Sequence, residues 1–334
     1  MPENAATHLD PRLAALGLTS PVALAPMAGI TDLPTRTLVQ GFGAGLVVSE
    51  MIASQEMVEA KPSVRDRAEL GVRVEGTSVQ IAGREAHWMA EAARVLEGQG
   101  ARIVDINMGC PAKKVTGGQS GSALLRDHDH ALRLIEAVVA AVDVPVTLKT
   151  RLGWDDDSRD TAALAVRAEA AGIAMLTIHG RTRCQFYKGA ADWAAIAPIV
   201  RAVTIPVLAN GDITDAATAR AALAASGAAG VMVGRGAQGR PWALAAIAHA
   251  LGHGPAPRLP QGADFVEMVT AHHAAMIDFY GPDLGGRVAR KHLGWYMDEA
   301  GTPSDLRRRV LTAAPHEVAA LLPDALLQTR SAAA

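Results

Sequence analysis

Eight short runs of branched apolar residues recur along this chain, and segments with helical spacing separate them. The runs are Val22–Met27, Leu46–Met51, Ser78–Ala82, Ile103–Met108, Val146–Arg151, Met175–Gly180, Val207–Gly211 and Val231–Gly234, mostly spaced by about 25–35 residues. Several connections, His87–Gly98, Ala131–Val142, Thr161–Ala171 and Ala216–Ser226, are rich in Ala and read as helices. Alternation of this kind requires parallel strands joined by right-handed crossovers. Eight such units favour a closed (β/α)8 TIM barrel over an open doubly wound sheet.

After the eighth run the pattern changes. Gly252–Gly262 (GHGPAPRLPQG) is dense in Pro and Gly, as a linker is, and the sequence beyond it is helical without strand-like runs. The expected organisation is therefore a catalytic barrel over residues 1–250 and a small all-helical domain over 251–334, with the terminal SAAA frayed. No basic stretch with an apolar block opens the sequence, and no apolar run reaches the roughly 18–20 residues of a membrane span. Two cysteines, Cys110 and Cys184, are too few for a disulfide framework in 334 residues. The expected location is the cytoplasm. A formal net charge of −2 argues mildly against a nucleic-acid partner, so basic residues that bind RNA must be clustered.

Polar residues end several of the strand-like runs, which is unexpected in segments otherwise buried on both faces. Gln80 ends the third; Asp105 and Asn107 share one face of the fourth; Thr147, Lys149 and Arg151 share one face of the fifth. Thr177 and His179 follow on the sixth, and Asn210 and Asp212 on the seventh. Convergence of these groups at the C-terminal mouth of a barrel calls for a polar ligand. Lys149, at that depth, needs an anion, loses its charge, or serves as a Schiff-base amine. A reduced flavin edge is one such anion; a salt bridge to Asp105 or Asp212 is the structural alternative.

The last strand runs into Gly234-Arg235-Gly236-Ala237-Gln238-Gly239, a G-x-G-x-x-G pattern. A Rossmann reading fails because no second strand ending in an acid follows about 20 residues on. A phosphate cradle for a mononucleotide such as FMN fits better, with Asn210-Gly211-Asp212 on the neighbouring strand, although a plain tight turn explains the glycines nearly as well. Cys110 lies in Asn107-Met108-Gly109-Cys110-Pro111, a mouth loop with no second Cys or His at metal-ligand spacing. Nucleophile and general acid remain, and a largely protonated thiol favours the acid. Cys184 has no comparable setting and reads as a bystander. Two basic groupings stand out: Arg181, Arg183 and Lys188 after the sixth run, and Arg287, Arg290 and Lys291 at i, i+3, i+4 on one helix face beside Trp295 and Tyr296. A solvated helix face accounts for the second equally well.

These segments together resemble the tRNA-dihydrouridine synthase family, nearest its bacterial B-type branch. The matching stretches are APMAGITDLPTR (Ala25–Arg36), VQIAG (Val79–Gly83), DINMGCPAKKV (Asp105–Val115), VTLKTRLGW (Val146–Trp154), LTIHGRTR (Leu176–Arg183), IPVLANGDIT (Ile205–Thr214) and GRGAQGRPW (Gly234–Trp242). DFYG (Asp278–Gly281) and ARKHLGWY (Ala289–Tyr296) match in the tail, so the resemblance runs through nearly the whole chain in order. It implies an FMN barrel followed by a helical tRNA-binding domain, with NADPH as electron donor and no metal. Carried over by motif, Pro26, Met27 and Ala28 cup the flavin edge, Gln80 bonds the ring, and Lys149 meets its N1/O2 side with His179 in support. Asn210, Gly211, Asp212, Gly234 and Arg235 hold the ribityl phosphate. Hydride then goes to uridine C6 and Cys110 protonates C5. The sequence departs from the family at Thr116-Gly117-Gly118-Gln119, where relatives often carry a basic residue. No membrane and no obligatory protein partner is implied. Two other readings remain: a Schiff-base aldolase or isomerase using Lys149 and the glycine loop, and a non-catalytic RNA-binding regulator with a vestigial flavin site.

Overall fold

In this computed structural model, which describes residues 8–59 and 77–327, the strand-like runs close into a single parallel barrel. Its strands are β1 (Val22–Leu24), β2 (Leu46–Val48), β3 (Ile52–Ala53), β4 (Thr77–Ala82), β5 (Val104–Asn107), β6 (Val146–Arg151), β7 (Met175–His179), β8 (Val207–Asn210) and β9 (Gly230–Val233). They hydrogen-bond in the order β2-β1-β9-β8-β7-β6-β5-β4, and pairing of β2 with β4 completes the ring. Nearly every strand residue is buried, as expected where a barrel interior and an outer ring of helices cover both faces. Each Val, Ile or Leu so enclosed contributes roughly 1.5–3 kcal/mol.

One of the eight expected strands is interrupted. The run Leu46–Met51 is not continuous: it breaks after Val48, and β3 resumes beside β4. Val48 pairs with Ser78 and Ile52 with Ile81, so the second strand carries one residue more than its partner over this stretch. That is a bulge, and Ser49 satisfies it locally, its Oγ accepting from the Gln80 N–H at 3.0 Å. The bulge turns Glu50 and Met51 toward the barrel mouth, where Met51 lines the central cavity and Glu50 accepts from the Gly29 N–H.

The helices stop and start where their caps dictate. The helix Ala216–Ser226 begins at Asp215, whose carboxylate accepts from Thr218 N–H at 2.8 Å, and ends at Gly227 with φ +69°. The helix His128–Val139 starts three residues before the expected Ala131 because Asp127 caps it through His130 N–H at 2.9 Å. After the coil 251–262, four helices (Ala263–Tyr280, Pro282–Ala300, Ser304–Thr312 and Pro315–Leu326) enclose a core of their own around Val269, Met276, Leu293, Met297 and Leu322. Gly285 lets the first two meet backbone to backbone, since a Cβ there would lie 2.6 Å from the Met276 carbonyl oxygen. The helix Ala263–Tyr280 docks on the barrel helix Leu33–Gly41, and edge-on rings run across the seam from Phe42 through Trp242 and Phe265 to Tyr296. No helix among the described residues is long and apolar enough to cross a membrane. The expected fraying of SAAA concerns residues outside those described.

Candidate active site

A cavity of about 690 Å³ opens at the C-terminal ends of the barrel strands, within the range of small-molecule and cofactor sites. Its walls include Pro26, Met27 and Ala28 after β1, Gln80 on β4, Asn107 and Cys110 on and after β5, and Lys149 and Arg151 on β6. His179, Asn210, Gly211, Asp212, Gly234 and Arg235 complete the circle. Every residue singled out from the sequence for the catalytic and cofactor roles therefore lies on one surface.

The thiol is held by its backbone. Asn107 Oδ1 accepts from the N–H groups of Gly109 at 3.1 Å and Cys110 at 2.9 Å. Arg151 Nε donates to the Gly109 carbonyl at 2.7 Å, and the Cys110 carbonyl accepts from the Ser122 hydroxyl at 2.8 Å. Gly121, at φ +60°, permits this fit: a Cβ there would sit 2.9 Å from the Cys110 carbonyl oxygen. Cys110 is half-buried beside the cavity, whereas Cys184 is exposed and does not line it.

Positive charge dominates the walls. Lys149 Nζ donates to Asn210 Oδ1 at 3.2 Å, and no carboxylate among the described residues pairs with it. Burial, reinforced by Arg151 and opposed by Asp105, brings its pKa down to about 8. The salt-bridge alternative for Lys149 is therefore not what the side chains do. Burial likewise brings Arg151 down to about 10, and its guanidinium ties together the Gly109, Thr182 and Phe186 carbonyls. Burial, and then Lys149, Arg151, Arg181 and Arg235, drive His179 far below its usual value, so its ring is neutral. Arg181 Nη1 lies 3.3 Å from His179 Nε2 and can only donate, which leaves the imidazole proton on Nδ1.

Asp212 does not stand alone as a phosphate contact, because a carboxylate repels an anion. It accepts from Arg181 Nη2 at 2.5 Å, the Ala191 N–H at 2.8 Å and Arg235 Nη2 at 3.2 Å. Burial opposes its ionisation, but these donors outweigh burial and hold it below the usual carboxylate value. Its effect on an anion runs through the arginines. Beside it, Arg235–Ala237 forms one tight turn whose first N–H groups have no intrahelical acceptor. Gly236 lets the chain close there: a Cβ would lie 2.4 Å from the Ile213 carbonyl oxygen.

The residues proposed for RNA separate by position. Arg181 is buried at 1% exposure, with its donors spent on Lys188 O, His179, Gly189 O and Asp212, so it has no surface to offer a phosphate. That corrects the expectation from the sequence, which saw a basic loop but not its inward turn. Arg183 is half-buried, with its guanidinium over both the Trp154 ring (4.6 Å) and the Phe186 ring (4.8 Å). Lys188 is exposed, as are Arg287, Arg290 and Lys291 on the helix Pro282–Ala300. Lys291 Nζ lies 3.4 Å from where a Cβ on Gly29 would be, so the basic stripe reaches the loop after β1 at the cavity rim.

The chain matches, over residues 23–330, the family described as Dihydrouridine synthase (Dus). It belongs to the dihydrouridine synthase family. A protein of Rhodobacter capsulatus named "Probable tRNA-dihydrouridine synthase" is 62% identical over 96% of this chain and 99% of its own. The "tRNA-dihydrouridine synthase B" of Pseudomonas syringae pv. tomato is 50% identical over 82% of this chain and 81% of its own. Among solved structures, histamine dehydrogenase from Rhizobium sp. 4-9 aligns with a TM-score of 0.54 at 12% identity, covering 77% of this chain and 49% of that one. A 2-naphthoyl-CoA reductase complex aligns with a TM-score of 0.55, also at 12% identity, over 67% of this chain and 49% of that one. This chain thus spans about half the length of those two, and at that identity the likeness concerns the barrel fold.

Against the family motifs, the structure adds wall residues that sequence reasoning left out. Tyr187, exposed at 55%, lies over Arg151 and Arg235 with its ring centroid 5.6 and 5.2 Å from their guanidinium carbons. Phe186 holds φ +52°, and Arg240, which also approaches Glu299 at 4.0 Å, lines the cavity with Thr214 and Gln238. The one available signal was the aromatic pair beside Lys188. A flavin mononucleotide suits these walls on three counts: an unpaired buried ammonium, apolar edges from Ala25 to Met27, and a glycine turn beside Arg235.

Proposed function

We propose that this dihydrouridine synthase reduces the C5–C6 double bond of uridines in tRNA to 5,6-dihydrouridine, with FMN in the barrel mouth and NADPH as electron donor. The observation that carries the reading is the shared cavity of Cys110 and Lys149, a proton source and a cation facing one space. FMN, recharged by NADPH, would supply hydride to uridine C6. Cys110 holds the proton for C5 on its Sγ. Lys149 offers an ammonium to the N1/O2 side of the ring, an electrostatic contribution worth a few kcal/mol when pre-organised in a dry site. Gln80 has one amide hydrogen left for the ring after its bond to Asp105, and His179 presents Nδ1–H. Pro26, Met27 and Ala28 form the apolar edge. Asn210, Gly211, Gly234 and Arg235 face the phosphate end, with Asp212 acting by aligning Arg235.

The target base must leave its stack to enter so deep a mouth, as for other base-modifying enzymes. Arg183, Lys188, Arg287, Arg290 and Lys291 are the residues we assign to the RNA backbone, with the barrel (residues 1–250) as catalytic domain and 251–334 as RNA-binding domain. The relatives named as tRNA-dihydrouridine synthases support the substrate class. The Schiff-base reading is disfavoured because it leaves the elaborately held Cys110 loop without a task. The test is to offer the purified protein FMN, then NADPH and unmodified tRNA. Flavin retention with dihydrouridine appearing in the tRNA is expected; a protein that refuses FMN refutes the proposal.

A further inference from the structure

A line of buried polar groups leads from Thr147 and Asp105 to the Cys110 loop, and of these only Gln80 has a part in the proposed reaction. Thr147 Oγ1 donates to Asp105 Oδ1 at 2.6 Å, and Gln80 Nε2 donates to Asp105 Oδ2, also at 2.6 Å. Gln80 Oε1 accepts from Asn107 Nδ2 at 2.7 Å, and Asn107 Oδ1 takes the Gly109 and Cys110 N–H groups. The direction of every bond follows from the first. A carboxylate only accepts, so Gln80 must turn its amide nitrogen inward and its oxygen toward Asn107. Asn107 then presents nitrogen to Gln80 and oxygen to the loop. All four residues are buried, Asp105 at 5%, Gln80 at 1%, Asn107 at 8% and Thr147 at 2% exposure. A single reversed amide would bury two facing donors or two facing acceptors.

We infer that Asp105 is a positioning residue for Cys110: its buried acceptor oxygens set the orientation of Gln80 and Asn107, and through them hold the backbone of the cysteine loop. Arg151 and Ser122 grip the Gly109 and Cys110 carbonyls and the Lys149 carbonyl takes the Met108 N–H, so the Gly109 and Cys110 amides depend on Asn107. Burial raises the pKa of Asp105 and the bonds from Gln80 and Thr147 oppose it; with a donor 2.6 Å from each oxygen, the geometry uses both oxygens as acceptors. An Asn at this position would still accept from Gln80, because the Thr147 hydroxyl can turn to accept the new amide hydrogen. Leu, with the same branching but no acceptor, would not.

The catalytic significance of the relay rests on the assignment of Cys110 as proton donor, but the relay itself is measured without the reaction. In the full chain, backbone hydrogen exchange at Gly109 and Cys110 should accelerate on the order of tenfold in Asp105→Leu and stay near the parent value in Asp105→Asn. Gln80→Met, altered at the cavity wall, should expose the same two amides and serves where Asp105→Leu fails to fold. With FMN, NADPH and tRNA, Asp105→Leu should form on the order of tenfold less dihydrouridine per NADPH oxidised, and Asp105→Asn should restore the ratio. Unchanged exchange in Asp105→Leu or Gln80→Met, or equal loss in Asp105→Asn and Asp105→Leu, overturns the inference. Full product formation by Cys110→Ala would instead remove the acid role and leave the exchange result standing.

Discussion

At the scale of single residues, the tasks proposed for Cys110 and Lys149 are separable. Cys110→Ala should keep bound flavin and NADPH oxidation while losing dihydrouridine formation, because the thiol is not among the groups proposed to hold FMN; nucleoside analysis of the tRNA checks this. Lys149→Ala should lose flavin or slow its reduction, read from the visible spectrum. The pH dependence has a definite sign. With its pKa brought down to about 8 by burial, Lys149 is charged below that pH and neutral above it. Any rate that needs the ammonium should therefore fall as pH rises through about 8, and stopped-flow reduction across that range would reveal a flat profile if the cation is idle. Gln80 and Lys149, polar groups within otherwise apolar strands, and Cys110 and the glycine turn, just beyond strands, were legible in the sequence. The inward turn of Arg181 was not, because nothing local distinguishes a buried arginine from a solvated one; its carboxylate partner Asp212 lies 31 residues away.

At the scale of elements, turns and seams do the positioning. Gly236→Ala should disrupt the phosphate-side turn, since its Cβ would collide with the Ile213 carbonyl at 2.4 Å, backbone that cannot step aside. FMN affinity should drop with the barrel still folded, measurable by flavin fluorescence and circular dichroism. Where the helices Leu33–Gly41 and Ala263–Tyr280 meet, His272 bonds Tyr296 at 2.8 Å and Thr35 at 3.3 Å, and burial, with His292 and His273, takes its pKa down to about 3. A neutral histidine in the fold and an ordinary one in the unfolded chain means that the unfolded state binds the extra proton. Stability is full above the unfolded pKa near 6.5 and falls as pH drops toward 3, by up to about 1.4 kcal/mol per pH unit. His272→Gln should flatten that loss in thermal melts between pH 7 and 5. The bulge at Ser49 belongs to this scale too. An apolar run announced a strand there, but the extra residue is visible only against the register of β4.

Across the whole molecule, the helical region places a basic stripe beside the barrel mouth without being basic itself. Residues 250–334 hold 8 Lys+Arg against 9 Asp+Glu, so RNA affinity must come from placement rather than net charge. Reversing Arg287, Arg290 and Lys291 to Glu should weaken tRNA binding and flatten its salt dependence, with flavin affinity unchanged. Binding isotherms at several salt concentrations check both. Undiminished tRNA affinity would reduce the stripe to a solvated helix face.

The sequence alone pointed to the barrel, because strand and helix repeated eight times favour closure over an open sheet, and parallel strands buried on both faces are apolar except where they meet a ligand. It also marked Lys149, a cation that is costly to bury unpaired, and Cys110 and the glycine turn, which stand in mouth loops just after buried strands. Tertiary structure decided what those residues face. Asp105, Gln80 and Asn107 became one directed line of bonds, Arg181 became an internal brace, and Lys291 arrived beside Gly29 from 262 residues away. Hydrogen-bond direction and charge pairing depend on neighbours distant in the chain, which local patterns do not encode.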